Sequence, residues 1–137
     1  MKYEVAREIL DGVRAAGRRH GFQPLAIVVM DARGAIRAAL SEDGTSTKRV
    51  EIATGKANCA IAMGFGSRDI AKRAPQFLAA VTHAVGGLFV PVPGGVLVRD
   101  ASGEILGAVG VSGDSSDNDE IAAVEGISGA GLAADAG

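Results

Sequence analysis

Residues 25–40 read LAIVVMDARGAIRAAL, and this stretch decides the fold. Leu25–Met30 is an unbroken apolar run rich in β-branched residues, the mark of a strand covered on both faces. Asp31-Ala32-Arg33-Gly34 follows it; an Asp that opens a turn and a Gly that closes it suit a tight reversal, so Ala35–Leu40 is predicted to return antiparallel. The pattern recurs at 96–111, VLVRDASGEILGAVGV, where Val96–Arg99 runs into Asp100-Ala101-Ser102-Gly103 and Glu104–Val111 returns. Shared turn chemistry accounts for the likeness without a duplication. Two hairpins predict one antiparallel sheet.

Helices fill the remainder. Tyr3, Ala6, Ile9, Leu10, Val13 and Ala16 recur at spacings of three and four, an amphipathic helix over 3–19 that Gly21 and Pro24 end. A second helix is predicted over 45–63, opened by Thr45 or Ser46, with a face of Ala53, Ala57, Ala60 and Gly64 small enough to lie close on its neighbour. Residues 67–83 predict two short helical pieces interrupted at Pro75. Leu88-Phe89-Val90 predicts a short strand, and Pro91–Gly95 a loop of the kind that touches ligands. Asp117, Asn118 or Asp119 is expected to cap a last helix starting near Glu120, while Gly126, Gly129 and Gly131 loosen it, so that a tail from about 127 to 137 frays. The whole reads as one α/β domain of the α+β type over 1–137.

With 137 residues the chain can build one core, but 20 Gly, four Phe and one Tyr leave that core to Ala and Val. Small side chains bury less area each, and association is a common remedy, so a homo-oligomer is expected. A net charge of -2 offers no cationic face for phosphates, which excludes nucleic acid as a partner. The basic runs Arg14, Arg18, Arg19 and Lys48, Arg49 read as solvated faces. The single Cys59 excludes an internal disulfide; the amphipathic opening and the lack of a long apolar run predict a cytoplasmic protein without a membrane span.

Gly94-Gly95, the run from Ile105 to Gly113 (ILGAVGVSG) and Asp119-Glu120-Ile121-Ala122 resemble the GlcG/HbpS family, similar also to the C-terminal domain of PduO. Val29-Met30-Asp31-Ala32-Arg33-Gly34 and Gly55-Lys56-Ala57-Asn58 match the same family in the same order. The resemblance implies a profilin-like antiparallel sheet flanked by helices, a homo-oligomer, often an octamer, the binding of haem or a related small ligand, and a setting in catabolic pathways. One departure stands out: where many members carry Arg-Met-Asp-Gly-Ala after the second strand, this chain has Ser41-Glu42-Asp43-Gly44-Thr45. Losing the Arg and gaining Glu42 is expected to make the pocket edge more acidic.

Candidate chemistry follows. His83, ahead of Gly86-Gly87, can ligate haem iron or simply end a helix at the surface, as His20 does. Cys59 and Met63 are alternative soft ligands, or core. Lys56 shares a helix face with Ile52, Cys59 and Met63, where it can meet an anionic ligand or snorkel to water. The leading expectation is a small-molecule-binding protein whose cofactor is haem or a related tetrapyrrole, in a pocket formed by helix 45–64 and loop 91–95 with His83, Lys56, Gly94 and Gly95. The alternative is an enzyme acting on a small organic acid or carbonyl metabolite, its acid/base group drawn from Lys56, Glu42, Asp43 and Glu120.

Overall fold

The computed structural model describes residues 1–137, with elements in the order α1 (Tyr3–His20), β1 (Ala26–Asp31), β2 (Ile36–Ser41), α2 (Arg49–Met63), α3 (Ser67–Ile70), α4 (Pro75–Ala84), β3 (Gly95–Arg99), β4 (Ile105–Ser112), α5 (Ser116–Gly129) and β5 (Ala133–Asp135). Both hairpins form as the sequence predicts. Asp31 Oδ1 accepts the backbone N–H of Arg33 at 2.9 Å and of Ala35 at 3.1 Å; Asp100 Oδ1 does the same for Ser102 at 2.8 Å and Glu104 at 3.0 Å. Gly34 and Gly103 take the left-handed φ of 79° and 87° that each turn needs. The hairpins lie side by side through β1 and β4, giving one antiparallel sheet in the order β2-β1-β4-β3-β5.

Helices cover both faces of this sheet. Ile27, Val29, Val96, Val98, Val109 and Val111 point to one side, where they meet Ala6, Ile9 and Val13 of α1 and Ala122, Ala123 and Ile127 of α5. Ala26, Val28, Met30, Leu97 and Ala108 point to the other and meet Ala53, Ala57 and Ala60 of α2. Every residue of β1 is therefore buried, as its unbroken apolar run requires. The small face of α2 brings it down onto β4: a Cβ built on Gly110 would lie 1.9 Å from the carbonyl oxygen of Ala53.

Four expectations are corrected. The last helix begins at Ser116, capped by Ser115, whose Oγ accepts the Asn118 N–H at 3.2 Å. Its Gly126 is a site of close approach, since a Cβ there would lie 2.5 Å from the Val13 nitrogen, and the expected fraying tail instead supplies β5, paired with β3 and tied by Arg99 Nε to Asp135 Oδ2 at 2.8 Å. Leu88–Val90 is not a strand, because β5 takes that edge of the sheet and Leu88 turns into the left-handed region at φ 47°. Thr45 does not open α2: its Oγ1 donates to the Glu42 carbonyl within the preceding turn, and the helix starts at Arg49. No helix is long and apolar enough to cross a membrane.

Candidate functional site

Lys56 sits mid-way along α2 on the face that packs against the sheet, buried next to Ala53, Ala57 and Ala60. Its Nζ donates to the Val111 carbonyl at 2.9 Å and to Asp119 Oδ2 at 2.9 Å, and the two side chains are 2% and 1% exposed. Burial pushes the lysine down from its ordinary value and the carboxyl up, each opposed by the other's charge. Asp119 Oδ1 accepts the Asp114 N–H at 3.0 Å, so Asp119 is a buried partner and not a helix cap. Gly94 and Gly95 close the space above: a Cβ on Gly94 would lie 2.9 Å from Lys56 Nζ, and one on Gly95 2.2 Å from the Lys56 carbonyl. The Gly95 N–H donates to Ser67 Oγ at 2.8 Å. This is a packed junction of α2, α3, α5 and β4, with no room for a ligand.

The remaining carboxylates do not assemble into an acid/base site. Glu42 is 8% exposed, accepts the Leu25 N–H at 2.8 Å, and is held by Arg14 and Arg18, each at 3.2 Å. It lines none of the clefts, and the arginines that hold it keep to a solvated face, 58% and 44% exposed. Glu120 accepts from Arg68 Nε at 2.9 Å, and Arg68 also pairs with Asp117. Asp43 lies exposed in the turn after β2. Glu42 and Glu120 are thus each paired with arginine, as Asp119 is with Lys56.

His83 lies in the last turn of α4, exposed, on an open cleft of about 520 Å³ with Ala79, Thr82, Gly86 and Gly87. A smaller cleft of about 260 Å³ shares Gly87 and reaches Arg33, Gly34, Asn58, Ile61 and Val85. The smaller cleft draws on α2 through Asn58 and Ile61, but neither cleft reaches loop 91–95, Lys56, Gly94 or Gly95. His20 is engaged, its Nε2 2.7 Å from Glu125 Oε1 and its ring stacked 5.0 Å from that of Phe22. Cys59 is core, packed with Ile70 and Phe89 beside Met63, and burial pushes its thiol up to about 12. Sequence reasoning missed Arg33 and Asn58 as cleft residues, because both stand inside motifs that read as turn and helix.

The chain is a mixed α/β protein of five antiparallel strands between helical layers, and the same fold recurs in solved structures. PduOC in its haem complex matches with a TM-score of 0.86 at 19% identity over 96% of each chain. The Klebsiella pneumoniae protein ORFY matches at 0.85 with 18% identity, over 96% of this chain and 90% of that one. A double mutant of Streptomyces reticuli HbpS matches at 0.81 with 26% identity, over 93% of this chain and 85% of that one. The family model for haem-degrading HbpS-like proteins matches residues 1–128, and the chain belongs to that family. No curated protein matches the sequence significantly.

Proposed function

We propose that the protein binds haem or a related tetrapyrrole in the cleft at the C-terminal end of α4, with His83 offering a nitrogen to the iron. The observation that carries this reading is an exposed imidazole, free of any carboxylate partner, on the wider of the two clefts that meet at Gly87. The cleft falls within the roughly 300–1,000 Å³ of small-molecule sites. Ala79, Gly86 and Gly87 put no bulk in the way of a flat ring, and neutral imidazole is a proximal haem ligand. Bound haem would bring the redox and ligand-binding chemistry of its iron; the chain's own part is to hold and orient the ring. Membership of the HbpS-like family supports the same ligand class.

The α4 face supports a homo-oligomer, of which the octamer is the form implied by the family resemblance. None of its ten residues is Asp, Glu, Lys or Arg, none is fully buried, and only Leu78 and Val81 lean on the core cluster of Cys59, Ile70 and Phe89. Phe77 stays 42% exposed and neighbouring Leu88 48%, surface that a second copy would cover. In this reading the protein acts as a cytoplasmic assembly that serves a catabolic pathway.

Titration with hemin tests the ligand. The expected result is a saturable Soret shift that His83→Ala abolishes. No shift with the wild-type protein would sink the haem reading, and an unchanged shift in His83→Ala would remove the histidine from it.

A further inference from the structure

We infer that the smaller cleft, between the β1–β2 turn and α2, is a carboxylate-binding subsite for an apolar acid, with Arg33 as the residue that holds the anion. The inference goes beyond haem, because the cleft is large enough for a ring-sized acid by itself or for one acidic arm of a larger ligand seated across Gly87.

Charge is the first reason. Arg33 is the only formally charged residue on the cleft wall, and no carboxylate lines it. The nearest acid on the same turn, Asp31, is already committed. Its Oδ1 accepts two backbone N–H groups of the turn, and its Oδ2 takes one Arg33 N–H, from Nη2 at 3.3 Å. That single bond tethers the guanidinium without using it up. The other four of its five donors are unclaimed on a side chain 82% exposed, and a guanidinium fork matches a carboxylate in two parallel hydrogen bonds.

A second donor is held in place by an unusual piece of backbone. Asn58 Nδ2 donates to the Leu88 carbonyl at 3.2 Å, and Leu88 holds a left-handed φ of 47°, a conformation costly for a branched side chain. The amide keeps its second N–H for another acceptor. Ile61 and half-exposed Val85 give the cleft apolar walls, while Gly34 and Gly87 leave its floor free of side chains. One cation, one spare amide N–H and two aliphatic walls describe a receptor for a carboxylate on an apolar body.

Benzoate and its uncharged isostere benzamide are the probes, followed through backbone amide shifts by NMR. Benzoate should saturably shift Arg33, Gly34 and Gly87; benzamide should bind roughly tenfold or more weakly, a difference of about 1.4 kcal/mol. Arg33→Gln should erase the preference and Arg33→Lys should restore part of it. In parallel, Arg33→Gln should weaken hemin but leave hemin dimethyl ester, which lacks free carboxylates, unchanged. Benzoate that shifts no cleft residue, or an Arg33→Gln variant that binds benzoate and hemin as the wild type does, overturns the subsite even where hemin still gives its Soret shift. Benzoate binding without any hemin shift keeps the subsite and overturns the haem reading.

Discussion

Lys56 Nζ and Asp119 Oδ2 lie 2.9 Å apart with both side chains closed to water, so a full ion pair spans the interior between α2 and the first turn of α5. Such a pair adds little net stability when whole, because desolvation offsets attraction, but it is severe to break. Lys56→Met alone should destabilise the fold by about 3–5 kcal/mol, since it strands a buried carboxylate, and Asp119→Leu alone should do the same by stranding the ammonium. The double variant should lose far less than the sum. Urea unfolding of the three variants checks this; strict additivity would show that the residues do not act as a pair.

Two glycine substitutions should move stability in opposite directions. Gly110→Ala drives a Cβ to 1.9 Å from the Ala53 carbonyl oxygen, which forces α2 off the sheet and should destabilise by roughly 1–3 kcal/mol or more. Gly129→Ala, at the end of α5, meets nothing within 4 Å and should stabilise by about 0.4–1 kcal/mol by restricting the unfolded chain. Thermal melts of both variants decide. A neutral Gly110→Ala would mean that the helix can retreat from the sheet without loss.

The contrast between these glycines shows what the sequence does and does not carry. The hairpins were legible because turn chemistry is local: Asp31 with Gly34, and Asp100 with Gly103, set their reversals within four residues. The burial of β1 on both faces was legible because its unbroken apolar run leaves no polar side for water. Gly126 was misread as a loosening residue because its role depends on Val13, over a hundred positions away. Asp119 was misread as a cap for the same reason: its partner is Lys56, on another helix, and the cap falls to Ser115. Lys56 could be singled out because it shares a helix face with the apolar Ile52, Cys59 and Met63, a pattern that fits an anionic partner and equally a head that snorkels to water. Where it points was set by tertiary packing, and the loop 91–95 that was expected to open a pocket instead seals the lysine in.

Acid should destabilise the protein through Asp114. Its carboxylate accepts N–H bonds from Gln23 at 2.7 Å, Ser115 at 2.7 Å and Asn118 Nδ2 at 2.8 Å, and the first of these, joining the β1 approach to the α5 entry, leads in holding it below the usual aspartate range. A folded-state value below the unfolded one means that the stabilisation is present above the ordinary aspartate value and is lost as pH falls through the depressed one. Unfolding midpoints should therefore drop steeply below about pH 4. In Asp114→Asn the drop should be shallower and the neutral-pH stability lower. Parallel curves for the two proteins would remove Asp114 from the acid response.

The last prediction concerns where copies meet. Ile9 and Val13, the apolar face of the first helix, are fully buried inside one chain against the sheet and α5, so they have no surface left to offer a second copy. Phe77 on α4 and Leu88 just beyond it stay exposed, on a face that carries no Asp, Glu, Lys or Arg. An uncharged, apolar helix left in water is a standing liability, and burying it against a second copy turns that liability into association. Light scattering of the wild-type protein should give a discrete multiple of 13.8 kDa, and dilution should lower its melting temperature by mass action. Phe77→Asp would place an unpaired carboxylate in the joint, a penalty of several kcal/mol, and each 1.4 kcal/mol weakens association about tenfold, so the variant should run as a monomer at micromolar concentration. A wild-type mass of 13.8 kDa under those conditions would remove the assembly altogether. An oligomer that survives Phe77→Asp would move the joint elsewhere, to the open edge of β2, where Ile36 is the other large apolar side chain on a free strand.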